Sequence, residues 1–493
     1  MIEEHLPILQ IIVPLMAAPL CLLLRRKTVV LGFSLAVCWS VFALAVLLLW
    51  RVLEAGVIRY ELGGWSAPWG IEYRVDALSA FVLLFVSGIG AIVLSFGPRS
   101  LAREIPGDRQ YLFCATYLLC LTGLLGIVIT GDLFNLFVFL EISALSSYAL
   151  ISLGKKRQAL MAAFQYLVMG TIGATFILIG IGLMYMMTGT LNMADMASRL
   201  GSGGGTRTVL VAFAFLCVGI SLKMALFPLH GWLPNAYTYA PSVVTAFLAA
   251  TATKVSVYIL LRFIFSVFGA RFTFEAMPLG VILLPLSIVG IFVASTVAIF
   301  QRDIKRMLAY SSVAQIGYIV LGISFASVSG LTAGIVHLFN HALMKGGMFL
   351  AMGCIAFKLG SVDIDDMKGI GRQMPFTMFA WVLGGLGLVG VPVTAGFISK
   401  WYLVRAALER NLWPVAALVL LSSLLALVYI WRVVEVAYFQ LPPERHTRVK
   451  EAPLSMLIPT WILIGATLFF GLFTSLSAGV ARRAAQMLLG VSP

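Results

Sequence analysis

The chain has 493 residues, of which 61% are hydrophobic and 11% are charged. A soluble domain of this size carries more charged surface, so the composition excludes a soluble globular protein and favours a bundle of membrane helices. The net charge of +14 could indicate nucleic-acid binding, but the basic residues form short clusters between apolar runs, as at 25–27 and 155–157. Such clusters are typical of cytoplasmic loops.

The N-terminal segment is acidic before its first apolar run and basic after it, the reverse of a signal peptide. We therefore expect a retained first span, with the N-terminus outside a cell (inner) membrane. Apolar runs separated by charge, glycine and proline predict an all-α polytopic protein with about 14 transmembrane helices. The expected spans are 6–24, 29–50, 75–96, 111–130, 132–153, 159–187, 208–239, 241–268, 278–300, 306–326, 330–357, 376–402, 411–439 and 455–478.

The loop at 51–74 contains Trp65, Trp69 and Tyr73. Amphipathic aromatic rings favour the membrane–water interface, so we expect these three side chains to lie there.

The first titratable group inside a span is Glu141, in the run GDLFNLFVFLEISALSSYALISLGKK. On a straight helix it lies about 14 Å from Asp132 and about 21 Å from Lys155, which places it near the middle of a membrane. A charge there costs on the order of 3 kcal/mol, and intramembrane carboxylates usually face partners or water. This position favours a functional carboxylate over one that is merely tolerated.

Two spans are predicted to be discontinuous. The run 208–239 is too long for one straight span, and Pro228 and Pro234 remove backbone donors from it. Broken helices in corresponding positions of two halves are typical of transporters with inverted repeats, although packing glycines and a proline kink are an alternative. The second run, 376–402, is interrupted by Gly384, Gly385, Gly387, Gly390 and Pro392.

Two lysines lie too deep in their spans to reach the headgroups easily. They are Lys223, five residues before Pro228, and Lys254. A buried lysine without a counter-charge loses its proton more readily, and an acidic neighbour reverses that effect. Glu141 and Lys223 would form such a pair.

Three further titratable residues, His337, His341 and Lys345, recur at four-residue steps. This spacing keeps them on one helix face, with Asn340 beside them, and histidine is suited to passing protons near neutral pH. A lone histidine in a span is usually a hydrogen-bonded core residue. Metal binding by the histidine pair is a second alternative, but the sequence offers no third ligand nearby. The stripe favours a proton relay.

Lys400 lies beyond the second predicted break, and an interfacial anchor beside Trp401 is the alternative interpretation. Other charged residues near span ends, or in the thirteenth span, are expected to form local ion pairs or entrance groups. These are Asp76, Asp132, Arg432 and Glu435.

No cofactor or metal is expected. The six cysteines are scattered without a CxxC pair, and the GxGxxG match that ends at Gly390 lies in an apolar span with no strand before it.

Four segments together resemble a known family of membrane subunits. They are GDLFNLFVFLEISALSSYAL, SLKMALFPLHGWLPNAYTYAPSVVTAFLAATATKVSVYIL, QRDIKRMLAYSSVAQIGY and HLFNHALMKGGMFL. The combination is similar to the antiporter-like subunits shared by respiratory complex I, membrane-bound hydrogenases and multisubunit Mrp cation/proton antiporters. The form FNLFVFLEIS is most similar to the Mrp D-type subunit.

The resemblance implies a 14-helix fold with two inverted five-helix repeats. The implied organisation is helices 1–3 at 1–110, the repeats at 111–268 and 278–440, and a last helix with a short tail at 455–493. That tail is too short for the lateral helix of the complex I L-type subunit. The resemblance also implies proton-transfer roles for Glu141, Lys223, Lys254, His337, His341, Lys345 and Lys400.

The leading functional hypothesis is a proton-conducting subunit of a monovalent cation (Na+)/H+ antiporter, a secondary transporter subunit and not an enzyme. The alternative is a proton-pumping subunit of a redox-driven complex, whose chemistry other subunits would perform. Either role implies membrane subunits as partners. A scaffold without conduction is a third interpretation, but a scaffold could replace the buried charged groups by leucine.

Overall fold

The computed structural model describes residues 4–200, 205–443 and 449–491. Almost every long apolar run forms an α-helix. In chain order the helices are α1 Leu6–Leu23, α2 Lys27–Ala55, α3 Ala77–Glu104, α4 Gln110–Ile129, α5 Leu133–Ser152, α6 Gln158–Thr188, α7 Met193–Leu200, α8 Arg207–Lys223, α9 Leu233–Tyr239, α10 Ser242–Leu261, α11 Leu279–Ile299, α12 Ile304–Ser324, α13 Val328–Leu359, α14 Ile370–Gln373, α15 Pro375–Val389, α16 Ala395–Glu409, α17 Trp413–Phe439, α18 Leu454–Leu472 and α19 Thr474–Leu489.

Twelve helices in the described ranges are long and apolar enough to cross a membrane. Two further crossings are made by helices in two pieces, α8 with α9 and α15 with α16. Together they match the expected number of spans, and the all-α fold with broken helices is confirmed.

The first break differs in detail from the prediction. Helix α8 ends at Lys223, and the chain then turns through Ala225, which has a φ of 57°, before α9 begins at Leu233. Pro228 lies inside this break, but Pro234 lies in the first turn of α9, where a missing N–H costs nothing. Pro234 therefore starts a helix and does not interrupt one.

The second break is shorter than predicted. Helix α15 continues through Gly384, Gly385 and Gly387 and ends at Gly390, whose φ of 87° suits a residue without a Cβ. The three earlier glycines allow close packing: a Cβ on Gly384 would lie 2.5 Å from Met348 Cγ. The packing interpretation thus holds for them, while the break spans 390–394.

Both breaks fall in the fourth helix of the expected five-helix units. The first unit, 111–268, contains α4, α5, α6, the α8–α9 pair and α10; the second, 278–440, contains α11, α12, α13, the α15–α16 pair and α17. This shared order agrees with the expected repeats, whose boundaries stay a prediction.

A small β-hairpin was not predicted. Strand β1, Ile58–Glu61, pairs antiparallel with β2, Glu72–Val75. Trp65 and Trp69 lie exposed at its tip, as interface residues should, whereas Tyr73 is buried beneath the hairpin. Further short elements comprise 3-10 turns at Leu62–Gly64, Gly107–Arg109 and Ile364–Met367, and π-helical turns at Arg262–Val267 and Phe272–Ala276.

The most enclosed helices are α3, α4, α10, α12 and α13, while α1, α2, α6, α11 and α17 form the periphery. Helix α13 packs against α3, α10, α12, α15, α16, α18 and α19. The predicted lysine and histidine positions on α10 and α13 therefore belong to the innermost layer.

Helices α4 and α5 approach closely at Gly123, where an added Cβ would lie 2.5 Å from the Ser143 backbone nitrogen. We expect Gly123→Ala to destabilise the protein by about 1–3 kcal/mol, because backbone atoms cannot move aside as a flexible side chain can. The thermal unfolding midpoint in detergent measures this. Gly182→Ala is the matched control, since a Cβ there meets nothing within 4 Å and we expect no loss.

Candidate functional site

Glu141 and Lys223 form the predicted ion pair. The Lys223 ammonium lies 3.4 Å from Glu141 Oε1, and the two residues come from α5 and from the last position of α8. Lys223 is buried, whereas 28% of the Glu141 side chain is exposed. The end of α8 thus places the ammonium against a carboxylate midway along α5.

A cavity of about 20 Å³ lies beside this pair. Its lining includes Lys223, Ser143, Ser147 and Tyr166, and it reaches Ser256 on α10. A polar space of this size holds about one water molecule. A space large enough for about one water molecule therefore lies between Lys223 and α10.

Lys254 is fully enclosed on α10. Its ammonium donates hydrogen bonds to the Ala249 carbonyl of its own helix and, at 3.4 Å, to Thr253 Oγ1. Helix α10, which carries Lys254, packs against α13, which carries His337, His341 and Lys345. Lys254 therefore links the first half of the chain to the α13 stripe.

His337, His341 and Lys345 are all buried on α13, and the two imidazole rings lie parallel with centroids 6.0 Å apart. His337 contacts Gln315 Oε1 at 2.9 Å through Nε2 and Ser399 Oγ at 2.7 Å through Nδ1. His341 differs, because neither ring nitrogen has a hydrogen-bond partner within the described part of the chain.

The hydrogen-bond partners of Lys345 in the described residues are uncharged oxygen atoms and not a carboxylate. Its ammonium donates to the Leu308 carbonyl at 2.7 Å and to Ser311 Oγ at 2.9 Å, both on α12. Asn340 donates to the Ala395 carbonyl at 2.7 Å and so connects α13 to the start of α16.

Lys400 points inward to the second helix break. Its ammonium donates to the carbonyls of Leu388 and Val389 at 3.0 and 2.9 Å, and to Ser423 Oγ at 2.9 Å. The carbonyls at a helix C-terminus carry partial negative charge that favours a cation. The interfacial-anchor interpretation is wrong for Lys400, although its neighbour Trp401 is exposed.

The polar partners of the lysines and histidines were not predicted. They are Gln315, Ser311, Ser399 and Ser423, together with Tyr318, whose ring lies 4.9 Å from the Lys400 ammonium. Gln315 could have been identified in the sequence, because it is a polar amide inside the apolar run of α12. The serines could not, since serines in membrane helices commonly hydrogen-bond to their own helix.

Three of the four charged residues named near span ends make local contacts, and the contact of Asp76 is an ion pair. For Glu435 the expectation stays a prediction. Asp132 Oδ1 accepts the Asn135 amide at 2.7 Å and caps α5, and Arg432 donates to the Gln301 carbonyl at 2.9 Å. Asp76 pairs with Arg262 at 2.6 Å. The described residues contain no group of three side chains that could hold a metal ion, and both His337 nitrogens are already hydrogen-bonded.

Comparison with known proteins decides the family. The family model described as NADH:quinone oxidoreductase/Mrp antiporter, TM matches residues 130–426, which include every predicted site residue. The chain belongs to this family. It is therefore a multi-pass membrane protein of the antiporter-like subunits.

Individual relatives come from different complexes. The N subunit of the NADH-quinone oxidoreductase of Desulforudis audaxviator is 43% identical over 95% of this chain and 96% of its own length. The D subunit of the Na(+)/H(+) antiporter of Alkalihalophilus pseudofirmus is 29% identical over 95% and 94%. The expected likeness to the D-type subunit is thus weaker than the likeness to the N-type subunit.

The fold also occurs in a third kind of complex. A chain of the membrane-bound sulfane sulfur reductase, an archaeal respiratory membrane complex, matches with a TM-score of 0.90 and 31% identity, over 98% of both chains. The antiporter-like fold therefore does not by itself identify the parent complex.

We expect Gln315→Ala to lower the thermal unfolding midpoint, because a buried imidazole nitrogen left without a partner costs about 1–3 kcal/mol. Gln301→Ala is the control, since that side-chain amide is half-buried and donates to the Val297 carbonyl at the end of α11, two residues after which Gln301 lies. Equal midpoints for the two variants would contradict a stabilising role for the Gln315–His337 contact.

Proposed function

We propose that this chain is a proton-conducting membrane subunit of a multisubunit complex, in which protons move along a buried series from Glu141 to Lys400. The series runs through Lys223, Lys254, His341, Lys345 and His337. The observation that carries the proposal is the Glu141–Lys223 pair at a helix break, 3.4 Å apart, continued by buried cationic groups up to the second break.

The pair supplies the switching element of the mechanism. A proton that arrives at Glu141 removes the negative charge and weakens the attraction that holds Lys223. The freed ammonium then acts on Lys254 across the hydrated cavity, in a medium where charges are weakly screened. A membrane potential provides about 2.3 kcal/mol per charge per 100 mV, which is enough to drive such steps in one direction.

The charge of the series supports protons and not sodium as the ion carried inside this chain. Lys254, Lys345 and Lys400 are buried, and in residues 4–200, 205–443 and 449–491 no carboxylate lies within ion-pair distance of their ammonium groups. Neighbouring ammonium groups would repel a sodium ion, whereas a proton can be exchanged on the nitrogen atoms themselves.

For the parent complex we favour a redox-driven pump, because the identity to the N-type subunit of a quinone oxidoreductase is 43% along nearly the whole chain. In that setting the driving reaction belongs to partner subunits. The Na+/H+ antiporter is the second candidate, supported by the 29% identity to a D-type subunit. Proton conduction by this chain is common to both.

The exposure of Glu141 supports a partner subunit at that face. A carboxylate that is 28% exposed near the middle of a span would otherwise meet lipid, at a cost on the order of 3 kcal/mol. We infer that another membrane subunit of the complex covers α5 at this point.

The orientation proposal follows from the basic loops. Arg103, Lys155, Lys156 and Lys305 line one cavity of about 220 Å³, where the ends of α3, α5 and α13 meet the start of α12. Clustered lysine and arginine mark the cytoplasmic side. The basic cluster supports an orientation in which the N-terminus and the β-hairpin lie outside the inner cell membrane. We also propose that the two repeats comprise 111–268 and 278–440.

We expect Glu141→Gln and Lys223→Ala each to abolish proton transport by the purified complex in vesicles, while the complex still assembles. The reason is that each change removes one charge of the switching pair. Glu275→Gln is the matched control, because Glu275 pairs with Arg271 at 3.4 Å but both side chains are exposed outside the spans. Full transport by Glu141→Gln would contradict the proposed function.

The two parent complexes differ in composition and in sodium dependence. Mass spectrometry of the purified complex should find quinone-reductase or similar redox subunits, and proton movement in vesicles should be unchanged when sodium is replaced by choline. Small antiporter subunits together with strict sodium dependence would favour the second candidate.

A further inference from the structure

A second polar column leaves the buried series at Lys254 and runs along α10 towards the β-hairpin side. Tyr258 and Arg262 follow Lys254 at four-residue steps, so the three residues occupy one helix face. All three are buried. This column is not used by the proposed path to Lys400.

Direct hydrogen bonds connect Arg262 to Tyr258 and to neighbouring helices. Arg262 Nε donates to the Tyr258 hydroxyl at 2.8 Å, and that hydroxyl donates to the Val128 carbonyl at 2.7 Å. Arg262 Nη2 donates to Asp76 Oδ1 at 2.6 Å. Helices α3, α4 and α10 are thus fastened together around one guanidinium group.

Asp76 is held in its charged form. Its Oδ1 accepts the amides of Leu78 and Ser79 at the start of α3, and although burial opposes ionisation, the Arg262 guanidinium lowers the pKa of Asp76 below its ordinary value. Its other oxygen, Oδ2, is buried and has no protein partner among the described residues. That unpaired oxygen indicates a place for water beside the ion pair.

A cavity of about 30 Å³ lies against the same group. Its lining includes Tyr258 and Arg262, together with the charged residues Glu72 and Arg74 of β2, and it reaches the exposed residue Ala194 on α7. Water from the hairpin side can therefore approach Arg262, while Lys254 lies one helical turn beyond Tyr258. We call this space the outer cavity. The Tyr258 phenol and the Arg262–Asp76 ion pair lie between it and Lys254, the lysine proposed to carry protons.

We propose that Arg262, positioned by Asp76 and Tyr258, is an electrostatic seal that prevents protons from passing between Lys254 and the outer cavity. The inference rests on the proposed function, since a seal is needed only if Lys254 carries protons. An arginine keeps its proton at every physiological pH, so Arg262 cannot relay a proton as a lysine or histidine does. Its positive charge opposes the passage of protons although the Asp76 carboxylate offsets part of that charge. A seal of this kind stops the membrane potential from discharging through the first half of the chain.

The test measures passive proton leak of the purified complex in vesicles under an imposed potential, without its driving reaction. We expect Arg262→Gln to raise the leak at least about tenfold, because the repelling charge is lost while the polar passage remains. Arg262→Lys keeps the charge and should stay near the wild-type leak. Asp76→Asn should also stay near it, because the arginine is retained.

The double variant Arg262→Gln/Lys254→Met separates a seal from a structural clamp. If the leak runs through the buried series, removing Lys254 returns it to the wild-type value. A leak that persists in the double variant, or one that Asp76→Asn reproduces in full, would show loosened packing and overturn the proposal. An assembled Arg262→Gln complex without leak would overturn it as well.

The same vesicles separate this proposal from the proposed function. Loss of transport in Glu141→Gln together with no leak in Arg262→Gln removes the seal and leaves the function standing. Full transport in Glu141→Gln removes both.

Discussion

The need to compensate buried ammonium groups governs this structure more than any other constraint. Each of the four lysines in the series has less than a tenth of its surface exposed, and an uncompensated charge in such surroundings is costly. Lys223 is met by a carboxylate, but Lys345 and Lys400 are met by backbone carbonyls and serine hydroxyls. Lys223 is thus stabilised by a full counter-charge, whereas Lys254, Lys345 and Lys400 are stabilised by the dipoles of carbonyl and hydroxyl groups.

The two helix breaks follow from this constraint. Carbonyls inside an unbroken helix already accept one hydrogen bond from the amide four residues along, whereas the last four carbonyls of a helix have no such partner. Ending α15 at Gly390 releases the carbonyls of Leu388 and Val389, and these bind Lys400. Ending α8 at Lys223 sets that residue at the helix terminus, opposite Glu141. In the fourth helix of each half, the helix break therefore positions a buried lysine next to the group that stabilises its charge.

Much of this was predictable from the sequence because charged residues in apolar runs are rare. The number of spans, the two discontinuous helices and the depth of Glu141 all follow from hydrophobicity and length. The partners of the charged groups were less accessible: the contacts of His337 with Gln315 and Ser399 depend on how α12, α13 and α16 pack, which no local pattern encodes. Gly384 shows the same limit, since a packing glycine and a helix-breaking glycine look alike in a sequence.

The resemblance to a family was also easier to establish than the parent complex. The segments that identify the family surround the buried series, and chains of an oxidoreductase, an antiporter and a sulfane sulfur reductase are similar to this chain along nearly its whole length. Similarity to all three does not select one parent complex. The partial exposure of Glu141 is the feature of this chain that supports a contact with a partner subunit.

The packing of helix α13 has a consequence for the insertion of the protein into the membrane during translation. It carries three titratable residues, and its neighbours include α16, α18 and α19, which leave the ribosome after it. Before those helices are inserted and packed against it, the polar face of α13 is not fully covered by protein. The insertion machinery must therefore shield this face from lipid while the C-terminal quarter is synthesised. Maturation of the central site therefore waits for the last helices of the chain, and early termination of translation damages the middle of the protein as well as its end.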